Sequence, residues 1–265
     1  MNRNVEIICV GNELLTGHTL NTNAHWLSSE ITDAGGIVRR VTVIRDEIEE
    51  IVSSVKESLK RKHAYIIISG GLGPTYDDKT LQGLAKALGR RLVVNKKAVN
   101  MLKRKYVKTS HPTLTPSRYK MATIPMGAEP LENPVGHAPA VMIKENSCLV
   151  FSLPGVPREM QSIFSVHILP IIKRRIGKFV RMSVSLETKG VTESMLSPYI
   201  DTVVAKNPNV YVKSHPKGYN KGVSILHVNI AAEAKSRKDA NMYLKKASRE
   251  MKLYVAKSGG SAREI

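Results

Sequence analysis

The most constraining stretch of this chain is the apolar run Ala64-Tyr65-Ile66-Ile67-Ile68-Ser69. It leads straight into Gly70-Gly71-Leu72-Gly73-Pro74-Thr75-Tyr76-Asp77-Asp78-Lys79-Thr80 and then into a helical pattern. The run reads as a strand, and the glycines between strand and helix allow a sharp turn that brings backbone N–H groups close to an anion. The N-terminus of the following helix adds positive dipole at the same place. Two carboxylates in the loop supply a landing place for a hard divalent cation. A phosphate cradle beside a metal ligand predicts chemistry on a nucleotide or a pyrophosphate.

The flanking sequence repeats the strand-then-helix rhythm. Residues 5–10 read as a first strand ending at Gly11, and Ala24, Leu27, Ile31 and Ala34 recur at helical spacing before Gly35-Gly36. Ile37–Ile44 is strand-like, and Asp46 with Glu49 resembles a capping box opening a helix striped by Ile48, Ile51, Val52, Val55 and Leu59. The helix after the Gly-rich loop runs to Leu88, with Gly89 as its cap. A short strand and a helix around 98–107 follow, then a polar, Pro-containing stretch over 108–116 that is an exposed connection or a lid. Residues 139–144 and Cys148–Leu153 form a hairpin added to the sheet, and Pro154-Gly155-Val156-Pro157 opens a helix ending near Gly177. This order predicts an α/β fold for residues 1–177, a doubly wound, mainly parallel sheet with helices on both faces.

Residues 178–265 break the rhythm. Strands over 180–188, 209–215 and 223–231, helices over 194–204 and 237–251, a polar loop at 216–222 and a last strand at 253–256 predict a small α+β domain.

Composition narrows the function classes. Apolar residues make up 42% of the 265, which marks a globular chain. Cys9 and Cys148 lie in strand-like segments and read as buried, reduced thiols. No signal-peptide core follows Met1, and no apolar run approaches the roughly 18 residues of a membrane span, so a soluble, cytoplasmic protein is expected. The net charge of +19 would attract nucleic acid, anionic membrane or phosphorylated metabolites. The excess divides as +10 in 1–177 and +9 in 178–265, in short clusters on helix surfaces, which favours solvated faces over a binding patch. Aromatics are only 5% of the chain, and the 218–222 loop joins strands where a KH-type clamp would join helices, so nucleic acid is the less favoured partner. The eight histidines form no pair at helical metal spacing, and no G-x-S-x-G elbow is present.

Three loops leave strands at what would be the carboxyl edge of the sheet, where open parallel sheets bind ligands. They are Gly11-Asn12-Glu13-Leu14-Leu15-Thr16-Gly17, the 70–80 loop, and residues 153–159. Asp78 is the first choice for a metal ligand and Asp77 the second, with one of the two expected to cap the helix beginning near Lys79. Glu13 is a second carboxylate for the cation, a base for an attacking water, or a partner of the neighbouring loop. Thr75 and Thr80 offer hydroxyls to phosphate; Asn21 and Asn23 do the same or cap the first helix.

These motifs, with Asn21-Thr22-Asn23, Glu132-Asn133-Pro134-Val135-Gly136 and Leu153-Pro154-Gly155-Val156-Pro157-x-Glu159, resemble the N-terminal part of the CinA (competence/damage-inducible) family, within the molybdopterin-binding, MoaB/Mog-like superfamily. The resemblance covers about residues 5–175 in order, and residues 178–265 resemble the small α+β domain that follows. CinA's C-terminal nicotinamide-mononucleotide deamidase domain has no counterpart in this sequence, so deamidase activity is not expected. The resemblance implies divalent-metal-dependent cleavage of ADP-ribose or a related dinucleotide pyrophosphate, or instead binding of a pterin, as in the molybdenum-cofactor branch. It places the superfamily's acidic metal residue on Asp78 and implies a phosphate or nucleotide site from Gly70, Gly71, Gly73, Thr75, Thr80, Asn21, Asn23, Pro154, Gly155, Arg158 and Glu159. It also implies self-association into at least a dimer. Two positions depart from the family pattern: Asn12 stands where bacterial CinA has Thr, and Arg158 replaces a small residue. Arg158 adds a phosphate contact or blocks the ordinary substrate.

Overall fold

The computed structural model describes residues 2–107 and 109–265, which divide into two units, 1–176 and 177–265. The first unit opens with β1 (Asn4–Val10), α1 (Asn12–Leu15), α2 (Thr22–Asp33), β2 (Ile37–Ile44), α3 (Ile48–Lys60), β3 (Tyr65–Ser69) and α4 (Thr80–Ala87). It continues through β4 (Leu92–Val94), α5 (Lys96–Tyr106), α6 (Pro116–Lys120), β5 (Thr123–Pro125), β6 (Glu129–Leu131), β7 (Ala140–Glu145) and β8 (Cys148–Leu153). It closes with α7 (Pro157–Ile163), a π turn (Phe164–Ile168) and α8 (Leu169–Ile176).

The six-stranded sheet has the order β2-β1-β3-β8-β7-β6. The first four strands pair in parallel, and β7 pairs antiparallel with β8 on one side and with β6 on the other. Strand alternation divides the apolar side chains between two helical layers. Val5, Ile7, Cys9, Tyr65 and Ile67 pack with Ala24, Leu27 and Ile31 of α2 and with Met160, Ile163 and Phe164. Ile8, Val10, Ile66 and Ile68 pack with Ile51 and Val55 of α3 and with Leu81 and Leu84 of α4. Both cysteines are free and buried, and burial raises each thiol's pKa, that of Cys148 to about 11.

Sheet order places the site. From β1 the chain steps to β2 on one side and later to β3 on the other, so the order reverses between β1 and β3. A crevice at the carboxyl ends of the strands opens at such a switch point. The 108–116 stretch is an ordered connection over its described residues, while Lys108 lies outside them. Arg118 donates to the His111 and Thr113 carbonyls and lies 3.8 Å over the Tyr106 ring, fastening the connection to α5.

The second unit contains β9 (Val180–Lys189), α9 (Glu193–Lys206), β10 (Val210–Asn220), β11 (Val223–Ala234), α10 (Arg237–Lys257) and β12 (Ser261–Glu264). Its antiparallel sheet has the order β10-β11-β9-β12. Leu196, Val203, Leu244, Met251 and Val255 from the two helices share one core with Leu186, Leu226, Val228 and Ile230.

Two sequence expectations fail in this unit. The strand expected at 253–256 is the end of α10, because Met251 and Val255, four residues apart, are buried while Leu253 between them is exposed. The polar loop expected at 216–222 is strand on both sides of a two-residue turn. Asn220 pairs with Val223, and Lys221 and Gly222 both take positive φ, the geometry that matches strand twist in a tight hairpin.

Candidate functional site

The three loops singled out in the sequence meet at Gly70. Its φ of +113° and a position where a Cβ would lie 2.1 Å from the Val10 carbonyl oxygen leave room for glycine alone. Its N–H donates to the Leu153 carbonyl at 3.0 Å, tying the end of β3 to the end of β8. Gly155 lies close by, since a Cβ on it would approach the Gly70 Cα to 3.4 Å. Asn23 completes the junction, with Nδ2 donating to Ser69 Oγ at 3.0 Å and to the Gly155 carbonyl at 2.7 Å. Past Gly70, the N–H groups of Gly71, Leu72 and Gly73 donate to no group among the described residues. That leaves a run of backbone donors for an anion.

The carboxylates on the far side of the loop behave differently from expectation. Neither Asp77 nor Asp78 caps α4; the residue before that helix is Lys79, and no side chain bonds its free N–H groups. Asp78 instead folds back on Thr75, accepting from its backbone N–H at 2.8 Å and facing its hydroxyl, and Asp77 Oδ1 faces the same hydroxyl. The Thr75 hydrogen bond holds the Asp77 carboxyl below its usual pKa, so it is charged at neutral pH. Gly73 is packed against Asp78, where a Cβ would come within 2.5 Å of Oδ2. Lys120 of α6 reaches over to donate to the Thr75 carbonyl.

Sequence reasoning missed Asp46. The helix it was expected to cap starts after Glu47, without a side-chain cap, and Asp46 turns away to accept the Asn12 N–H at 2.8 Å. Burial raises its pKa; the Asn12 hydrogen bond opposes the shift, and the charges of Glu13, Asp77 and Asp78 add to it. Those interactions place Asp46, from the loop after β2, with the carboxylates of the other two loops. Glu13 is exposed and folds over Gly11, where a Cβ would come within 2.6 Å of its carboxylate. The signal for Asp46 was its position two residues past the end of a parallel strand, which the apparent capping box masked.

The other residues singled out divide into structural and accessible groups. Thr80 is fully buried and its hydroxyl donates to the Gly70 carbonyl at 2.8 Å, so it braces the loop and offers nothing to phosphate. Gly71 fits over that hydroxyl, where a Cβ would sit at 2.3 Å. Asn21 caps α2 by accepting the Ala24 N–H at 3.0 Å. Glu159 accepts from Asn133 Nδ2 at 2.6 Å and packs against Gly136, while Asn133 is buried and accepts the Gly136 N–H. The Asn133-Pro134-Val135-Gly136 motif thus aims a carboxylate at the site. A cavity of about 440 Å³ is lined by Gly71, Gly73, Asp78, His137, Pro154, Gly155 and Glu159. Arg158 is exposed and does not line it. A second cavity of about 370 Å³ shares the Gly71–Gly73 wall and Asp78 and is closed by α4 and α6.

Residues 6–174 match the family described as "probable molybdopterin binding domain". The chain belongs to this family. A protein of Aeropyrum pernix is 44% identical over 258 residues, 97% of this chain and 96% of its own length. One from Metallosphaera sedula is 42% identical over 256 residues, with the same shares. The similarity to these two relatives therefore extends over both units. A crystal structure described as CinA of unknown function, from Thermoplasma acidophilum, is 40% identical with a TM-score of 0.61, covering 64% of this chain and 98% of that one. The resemblance to CinA carried by the loop motifs is borne out.

Proposed function

We propose that this chain hydrolyses the diphosphate linkage of a nucleotide of the ADP-ribose type with the help of a divalent cation. The observation that carries the reading is the run of N–H groups at Gly71, Leu72 and Gly73, without a partner among the described residues, in the same loop as the Asp77–Asp78 pair and with Gly73 packed against Asp78. Anion donors and hard-cation ligands side by side suit a phosphate held together with its counter-cation. Among the described residues no group of three or more His, Cys, Asp or Glu side chains could hold a metal ion alone. Asp77 and Asp78 fit an ion of the magnesium kind, which commonly takes one or two carboxylates and completes its shell with substrate phosphate and water. When bound, such an ion supplies Lewis acidity to the phosphoryl group.

The chain's own residues would do the rest. Backbone N–H groups of residues 71–73 hold the bridging phosphates, and Lys120 adds positive charge beside them. Glu13, on the opposite loop, takes the proton of the attacking water. Gly70, Thr80 and Asn23 keep these groups in register by fixing the loops to the sheet.

The family's description favours a second reading, a pterin site without turnover. The two separate in one screen: ADP-ribose, FAD, NAD and a diadenosine polyphosphate are incubated with a range of divalent cations, and pterin binding is followed by fluorescence. Release of AMP from any of the four supports the hydrolase. Tight pterin binding by a preparation inert toward all four establishes the binding module.

A further inference from the structure

Of the two cavities that meet at the Gly-rich loop, the one closed by α4 and α6 carries chemistry that the hydrolase reading leaves unused. Its lining includes the buried Leu81, the half-buried Leu92 and Lys120, and the exposed Gln82 and Tyr119. At about 370 Å³ it falls within the roughly 300–1,000 Å³ of small-molecule sites. Because Gly71, Gly73 and Asp78 form its remaining edge, a ligand whose phosphates lie on the loop can reach into it without a break.

From these observations we propose that this cavity takes the planar heterocycle of the ligand, with Tyr119 stacking on the ring and Gln82 reading its edge. The proposal rests on the phosphate-loop reading above. Apolar side chains beside an aromatic one make the environment a flat π-system prefers, and an amide carries a donor and an acceptor side by side, matching an edge that presents one of each. Purine and pterin rings both present such edges.

The neighbouring cavity is less suited to a ring. Its aromatic, Tyr106, already has Arg118 at 3.8 Å over the ring and the tilted His137 ring at 4.5 Å, whereas Tyr119 has no ring or cation partner among the described residues and keeps 37% of its surface exposed. Tyr119 is also held in place. Thr115 caps α6 by accepting the Arg118 N–H, Pro116 fills its first turn, and the Tyr119 carbonyl accepts from Thr123 Oγ1 at 2.9 Å. A ring presented on a fixed backbone loses little freedom on binding.

The test is calorimetric titration of the full chain, with magnesium present, by ADP, IDP, a pterin diphosphate and inorganic pyrophosphate. ADP or the pterin should bind more tightly than pyrophosphate. Tyr119→Ala should weaken the ring-bearing ligand roughly tenfold while leaving pyrophosphate unchanged, and Tyr119→Phe should restore the affinity. Gln82→Leu should narrow the preference between ADP and IDP. The wild-type preference between ADP and the pterin tells the two ring sources apart. Unchanged affinity for the ring-bearing ligand in Tyr119→Ala, or an equal loss for pyrophosphate, overturns the ring site while leaving the phosphate loop standing. Failure of the wild type to bind pyrophosphate or any of the diphosphates overturns the phosphate-loop reading and this inference with it.

Discussion

At the scale of single residues, Gly70 sets the geometry of the site and Glu6 the response to acid. A methyl group at position 70 would meet the Val10 carbonyl at 2.1 Å from a backbone that L-residues rarely adopt. Gly70→Ala should therefore cost about 3 kcal/mol or more, read as a lower urea midpoint with little change in slope. Glu6 is buried at the other end of β1, paired with Arg61 at 2.7 and 2.9 Å. Burial raises its carboxyl, but hydrogen bonds from Arg61 and Ser58 and the Arg61 charge outweigh that, and the net shift is downward. A carboxyl depressed in the folded state contributes stability above its unfolded value of 4.5, and the contribution is lost as pH falls through the folded value. His63, 3.4 Å from Glu6, is pushed down mainly by burial, so its contribution is likewise lost on acidification, starting below 6.5. Glu6→Gln should be less stable than wild type at neutral pH, and the gap measured by chemical unfolding should shrink below about pH 4.5.

Elements show where sequence was enough and where it was not. The sheet-forming runs were legible because full burial on both faces leaves little besides apolar residues, as in Tyr65–Ser69. The three loops were legible because glycine marks each one. The jobs of the side chains within them were not, since capping and site roles draw on the same residues. Asp46 carried the pattern of a cap yet bonds a loop 34 residues away, and Asp77 and Asp78 stood before α4 yet bond back to Thr75. The π turn before Pro170 was equally hidden. A proline within a helix has no N–H to give and crowds the carbonyl four residues earlier, and widening of the preceding turn accommodates it. Asp46 yields a prediction at this scale. Its carboxyl is raised, so its charge opposes folding above the unfolded value of 3.8 and the penalty disappears below it. Asp46→Asn should therefore raise the melting temperature at neutral pH without divalent ions, with the gain vanishing in acid.

For the whole molecule, the central fact is that groups 60 or more residues apart in sequence converge because β1, β3 and β8 are parallel neighbours with their carboxyl ends on one edge. The positive charge of both units is matched to phosphorylated ligands by sign alone, and it should make their binding weaken as salt rises. The hydrolase proposed for that edge makes a sharper prediction, that a diphosphate linkage is cleaved there as well as held. Phosphorus NMR of ADP-ribose mixed with the protein and a divalent cation tests it most directly, run beside Asp78→Ala. The expected result is two phosphomonoester signals, from AMP and ribose 5-phosphate, replacing the diphosphate in the wild type, with the rate lowered on the order of a hundredfold or more in the variant. Equal rates in the two proteins across several divalent ions, or an intact diphosphate signal in both, would contradict the metal-dependent mechanism centred on this loop.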